Sequence, residues 1–194
     1  MNFLLSRQVH VFSIGRYCNE NRADINSTLQ NFKTKNIQHL AVKLGEQLFH
    51  QNEKVATVES CTGGGVAFAI TEVAGSSQWF EKSWVTYSNQ AKHEEVGVSL
   101  STLNEFGAVS SEVVCEMAQG GLQKSKADYC VAISGIAGPG GGSKQKPVGL
   151  VWFAIATQHH TASFSRCFNG DRQEVREQAI SLSLQELIDS SLSA

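Results

Sequence analysis

Apolar residues recur at helical spacing from Ile37 onward. Ile37, Leu40, Ala41, Leu44 and Leu48 share one face, and Asn36 stands where a cap would sit. The run Val55-Ala56-Thr57-Val58 suits a buried strand, and Val66-Ala67-Phe68-Ala69-Ile70 suits the apolar part of a helix. Gly75-Ser76-Ser77 reads as a turn and Ser83 to Tyr87 as a second strand. A helix then opens at Ser88 and closes at Gly97. Thr102 to Phe106 gives one helical turn, stopped by Gly107. Ser110 caps a longer helix carrying Val113, Val114, Met117, Ala118 and Leu122. Tyr129 to Ile133 is continuously apolar, as in a strand buried on both faces. Val148 to Ala156 repeats that pattern, whereas Thr161 to Phe168 alternates like an edge strand. A last helix from about Asp171 to Leu192 turns Val175, Ala179, Leu182, Leu187 and Ile188 inward. Strands alternating with helices, then two adjoining strands, predict a three-layer α/β/α sandwich with a mixed, mostly parallel sheet over 37–194.

Residues 1–36 break this regularity. They hold five Lys/Arg against two Asp/Glu, so they carry +3 against −5 for the remainder. With no sustained periodicity, they read as a poorly ordered extension. The 194 residues otherwise fit one domain with a real core, and an apolar share of 41% with net charge −2 fits a soluble protein. Neither nucleic acid nor a membrane is an expected partner. The five cysteines are odd in number and lack a C-x-x-C, which points to free thiols in a reducing, cytoplasmic setting. Cys/His spacings of a zinc site are absent, so no metal is expected.

The chemistry concentrates at strand ends, where open α/β sheets put their ligands. Glu59-Ser60-Cys61-Thr62-Gly63-Gly64-Gly65 lies where a strand turns into a helix. Unpaired N–H groups and the helix dipole favour an anion there. A hydroxyl at such a turn can serve as a nucleophile beside an oxyanion site. A plain helix cap followed by packing glycines is the alternative. Tyr87-Ser88-Asn89 and Ser134-Gly135 mark two further strand ends, and Lys92 follows Ser88 by one helical turn. The stretch from Gly135 to Ser143 spells neither a P-loop nor a dinucleotide fingerprint. It reads as a backbone cradle for phosphate or carboxylate, or as a flexible connector.

Several blocks occur in order: Glu59 to Gly64, Val85 to Lys92, Gly107 to Ser110, Ser134 to Pro139, Lys146 to Gly149, and Gly170 to Arg172. Together they resemble the CinA C-terminal domain family, whose stand-alone members are nicotinamide mononucleotide deamidases. The resemblance covers about 37–190. It implies hydrolysis of the carboxamide of nicotinamide mononucleotide, with no cofactor and no metal, in a homodimer serving pyridine-nucleotide salvage. Ser60 would be the nucleophile and Lys92 its base. Cys61 is the rival nucleophile and otherwise a small apolar core residue. Tyr87 and Ser134 would assist proton transfer or meet the pyridine amide; Ser134 stands where many relatives carry Thr. Glu59 would orient Lys92 or a substrate hydroxyl, or be a satisfied strand-end carboxylate. Thr62, Gly63, Gly64, Asn89, Gly135 and Gly138 would surround the substrate, with Thr62 also a cap for the next helix. Arg172 would hold the phosphate with its guanidinium fork. His159 and His160 read as solvated turn residues. The rival reading is a non-catalytic nucleotide-binding or regulatory module, as the competence and damage association of the family suggests.

Overall fold

The computed structural model describes residues 35–192. The extension expected over 1–36 falls outside them except for its last two residues. Helix α1 occupies residues 35–51. Asn36 therefore sits within a helix, not at its cap, and its amide donates to Ser181 Oγ at 3.2 Å. Strand β1 (Val55–Glu59) leads through the glycine turn to α2 (Gly65–Thr71), then β2 (Phe80–Val85). Helices α3 (Asn89–Val96), α4 (Leu100–Phe106) and α5 (Ser111–Ser125) precede β3 (Tyr129–Gly135), β4 (Leu150–Thr157), β5 (Thr161–Cys167) and α6 (Arg172–Leu192).

The sheet has the order β2-β1-β3-β4-β5. β1 pairs parallel with both β2 and β3, while β4 pairs antiparallel with β3 and β5. Four strands thus share one direction and only β4 opposes them. β2 begins three residues earlier than the Ser83–Tyr87 expectation and ends at Val85. It is an edge strand with a half-exposed pattern, so its apolar signal is weak.

Side-chain alternation along the strands divides the core in two. Val55, Tyr129, Val131, Ile133, Val151, Phe153 and Ile155 face α1, α2 and α6. Ala56, Val58, Cys130, Ala132, Ala154 and Ala156 face α3, α4 and α5. The small residues on the second face let α5 lie close against the sheet. A Cβ on Gly121 would fall 2.5 Å from Val58 Cγ2 and 2.6 Å from Cys130 Sγ. A Cβ on Gly120 would fall 1.7 Å from the Val96 carbonyl oxygen, so that glycine sets how near α3 packs to α5. The sandwich is complete: helices cover both faces, and each layer buries its own apolar stripe.

This wiring creates the crevice. The chain leaves β1 toward α2 on one face and leaves β2 toward α3 on the other. Where successive connections diverge, the strand ends stay uncovered. Ser60 follows β1, and the Thr86-Tyr87-Ser88 connector follows β2.

Candidate active site

The turn after β1 needs its glycines. Gly63 and Gly64 have φ of +63° and +88°, a left-handed region that side chains resist. A Cβ on Gly64 would also touch Val85 Cγ2 at 3.4 Å. The turn closes through the Gly63 N–H, which donates to the Ser60 carbonyl at 3.0 Å. The Ser60 N–H donates to Ile133 O on the neighbouring strand, also at 3.0 Å. Ser60 is thereby tied to the middle of the sheet.

Lys92 meets it from α3. Ser88 caps that helix, its Oγ accepting from the Ala91 N–H at 3.0 Å. One turn on, Lys92 Nζ lies 3.1 Å from Ser60 Oγ and donates to the Thr86 carbonyl at 2.7 Å. The lysine is 1% exposed and the serine 8%. No carboxylate forms an ion pair with Lys92 among the described residues. Burial therefore penalises its charged form and pulls its pKa from 10.5 down to about 8, against a smaller opposing pull from Cys61. A hydrogen donated to Thr86 O leaves the neutral amine a lone pair for the serine proton.

Cys61 is buried as well, and burial pushes its thiol up to about 11. The same desolvation that makes the lysine a usable base makes the thiolate scarce. Glu59 is wholly buried and occupied: it accepts from the Val66 and Ala67 N–H groups at 3.1 and 2.9 Å, and from the Thr57 hydroxyl at 3.3 Å. The start of α2 is therefore filled by an internal carboxylate rather than open to an anion, which corrects that expectation, and of the two readings of Glu59 the satisfied strand-end carboxylate holds, since it bonds neither Lys92 nor a free surface. Thr62 does not cap α2 either; Gly64 is the N-cap residue and supplies no side-chain bond. Thr62 Oγ1 is buried with no hydrogen-bond partner among the described residues.

The remaining expected residues form a rim. Ser134, at the end of β3, is buried and gives its proton to the Ala108 carbonyl at 2.7 Å. Tyr87 is 61% exposed, and its hydroxyl accepts from Arg172 Nη2 at 3.1 Å. Arg172 Nη1 donates to the Gly138 carbonyl at 2.9 Å. Asn89 is exposed at the start of α3. Gly135 is a packing glycine, since a Cβ there would press within 2.9 Å of the β4 backbone. Among the described residues, no group of three or more His, Cys, Asp or Glu stands together as metal ligands would.

The chain matches the family model of the CinA C-terminal domain over residues 37–191. It belongs to the CinA C-terminal domain family. Proteins named nicotinamide-nucleotide amidohydrolase PncC from Escherichia coli K12 and Pseudomonas putida are 53% and 49% identical to it. Each alignment covers 78% of this chain, and 92% and 95% of the respective relative. The crystal structure of competence/damage inducible protein CihA from Agrobacterium tumefaciens superposes with a TM-score of 0.77 at 42% identity, covering 79% of this chain and 94% of that one.

In this CinA-type domain an open cleft of about 740 Å³ adjoins the rim. The loop residues Ala137, Gly138 and Pro139 form one wall, and Arg172, Gln173 and Arg176 of α6 form another. Ser60 and Lys92 lie outside those walls. Two bridges connect the cleft to them: the Arg172–Tyr87 bond and Arg176. Arg176 Nε donates to the Cys61 carbonyl at 3.1 Å and Nη2 to the Thr62 carbonyl at 2.8 Å. Sequence reasoning missed Arg176. The available signal was its spacing of four from Arg172, which puts both guanidinium groups on one face of α6.

Proposed function

We propose that this chain hydrolyses the carboxamide of nicotinamide mononucleotide to nicotinate mononucleotide and ammonia, with Ser60 as nucleophile and Lys92 as its base. The observation that carries the mechanism is Lys92 Nζ at 3.1 Å from Ser60 Oγ, inside a buried nest that holds its pKa near 8. The amidohydrolase names of relatives at about half identity support the substrate. A module that only bound a nucleotide would have no use for a desolvated lysine against a serine hydroxyl.

The steps follow from the geometry. Neutral Lys92 accepts the Ser60 proton as Oγ attacks the carboxamide carbon. The carbonyl oxygen becomes an oxyanion, which free N–H groups of the turn after Ser60 would stabilise. The lysine then gives that proton to the carboxamide nitrogen, the C–N bond breaks, ammonia leaves, and the acyl group stays as an ester on Ser60. Water, deprotonated by the same lysine, attacks that ester; the bond to Ser60 Oγ breaks, the lysine returns the proton to Oγ, and nicotinate mononucleotide leaves. Arg172, beside the cleft, would hold the phosphate well away from the reacting amide. We extend the reading to a cytoplasmic homodimer in pyridine-nucleotide salvage; the four free cysteines among the described residues support the reducing setting.

The test is ammonia release from nicotinamide mononucleotide. Wild-type protein should release it, Ser60→Ala should not, and Cys61→Ala should keep most of the activity. Wild-type kcat/KM should rise about tenfold per pH unit well below pH 8 and level off above it, as Lys92 sheds its proton. Activity in Ser60→Ala with a dead Cys61→Ala would move the nucleophile to the thiol.

A further inference from the structure

We propose that Arg176 is a positioning residue that fixes the turn carrying Ser60 by gripping two successive carbonyls. The inference rests on the amidase reading above and adds a residue to it. Nε and Nη2 belong to one edge of the guanidinium, so the fork engages Cys61 O and Thr62 O together, at 3.1 and 2.8 Å. A trans peptide is planar, with its C=O and the following N–H pointing in opposite directions. Holding the Cys61 carbonyl therefore fixes the direction of the Thr62 N–H, and holding the Thr62 carbonyl fixes the Gly63 N–H.

The two amides have different fates. The Gly63 N–H is spent on closing the turn to Ser60 O at 3.0 Å. The Thr62 N–H has no backbone acceptor among the described residues, but Thr62 is wholly buried, so the grip acts on the shape of the turn that carries Ser60. Beyond the turn, the Val66 and Ala67 amides of α2 are committed to Glu59. The turn's own backbone bonds are two, the second from Gly65 N–H to the Thr62 carbonyl at 3.3 Å, and its side chains add none. Gly63 and Gly64 sit at positive φ without side chains, and the Thr62 hydroxyl bonds to nothing described. Arg176 supplies the rigidity that glycines withhold.

Arg172 and Arg176 thus divide their labour although they share a helix face and a cleft. Arg172 has its guanidinium on the exposed rim, where it binds. Arg176 is half-buried and committed to backbone carbonyls. Removing a binding arginine raises KM, whereas removing one that positions the nucleophile's turn lowers kcat.

The experiment compares wild type, Arg176→Ala, Arg176→Lys and Arg176→Gln for ammonia release from nicotinamide mononucleotide, with melting curves run alongside. Arg176→Ala should lose about 100-fold in kcat, the scale set by a misplaced reacting geometry, with KM little changed. The pH midpoint near 8 should stay, because Lys92 is held by Thr86 and not by Arg176. Arg176→Lys, which keeps the charge but not the fork, should remain well below wild type, and added guanidinium ion should restore part of the activity of Arg176→Ala. If Arg176→Ala does not fold, Arg176→Lys and Arg176→Gln read the same kcat loss. A rise in KM at unchanged kcat would overturn the proposal in favour of a second anion ligand. Wild-type kinetics in every folded variant would overturn it as well. A wild type that releases no ammonia would instead sink the amidase reading itself.

Discussion

The nest around Ser60 and the cleft beside Arg172 adjoin, yet they obey opposite physical demands. The nest is dry: Ser60 and Lys92 are both buried. The cleft is wet, with Tyr87 and Arg172 exposed. A lysine becomes a base only where water no longer stabilises its charge. A guanidinium keeps its charge anywhere near neutral pH, so an anion site can stay open to solvent. The contrast teaches that burial is spent here on changing a proton affinity, not on recognising the substrate. Damage to the nest should appear in kcat, and damage to the cleft in KM.

The largest expected effect is in the nest. Ser60→Ala and Lys92→Ala should each lower kcat by about 10⁴-fold or more, and the double variant should be scarcely worse, because paired catalytic groups act as a unit. A double variant whose loss equals the product of the two single losses would show that the groups work independently.

Next comes the cleft. Arg172→Ala should cost about 10- to 150-fold in kcat/KM, nearly all through KM, as a charge-assisted contact remote from the amide should. Steady-state kinetics would break the contrast if kcat fell and KM stayed.

The smallest effect is on stability. In the unfolded chain Lys92 stays charged to about pH 10.5, but in the folded protein only to about pH 8. Folding at neutral pH must bury that charge or shed its proton. The penalty is full below pH 8 and fades between pH 8 and 10.5 as the unfolded chain also loses the proton. Lys92→Met should therefore be inactive yet more stable at pH 7, by ~1–2 kcal/mol, because an apolar side chain of similar volume fills the same buried space. The gain should shrink toward pH 10. Thermal melts at pH 7 and pH 10 would show it, and no gain at pH 7 would mean that the buried amine is fully compensated.

The sequence made the nest more legible than its supports. The positions of Ser60 and Lys92 followed from spacing, at a strand end and one turn into a capped helix, while their pairing as nucleophile and base came only from the family resemblance. The role of Glu59 was not legible: it caps a helix through N–H groups seven and eight residues ahead, across a turn whose shape only the glycines reveal. Thr62 looked like the cap because hydroxyls usually are, and the nearby carboxylate took that place. Arg176 reaches carbonyls 114 and 115 residues away, a separation no local pattern reports. β2 was placed late because an exposed edge strand lacks the apolar run that made β3 plain. Fold and reaction class were readable; the contacts that stiffen the site belong to tertiary structure.

The short link from β2 to α3 has no slack. Three consecutive residues each hold a different part of the machinery: Thr86 steadies Lys92 through its carbonyl, Tyr87 meets Arg172, and Ser88 starts the helix that carries the lysine. Loops elsewhere on a domain absorb insertions and deletions at little cost. Here a single added or deleted residue would shift Lys92, the rim and the helix start together, so the length of this link is as constrained as its Tyr87 and Ser88 side chains.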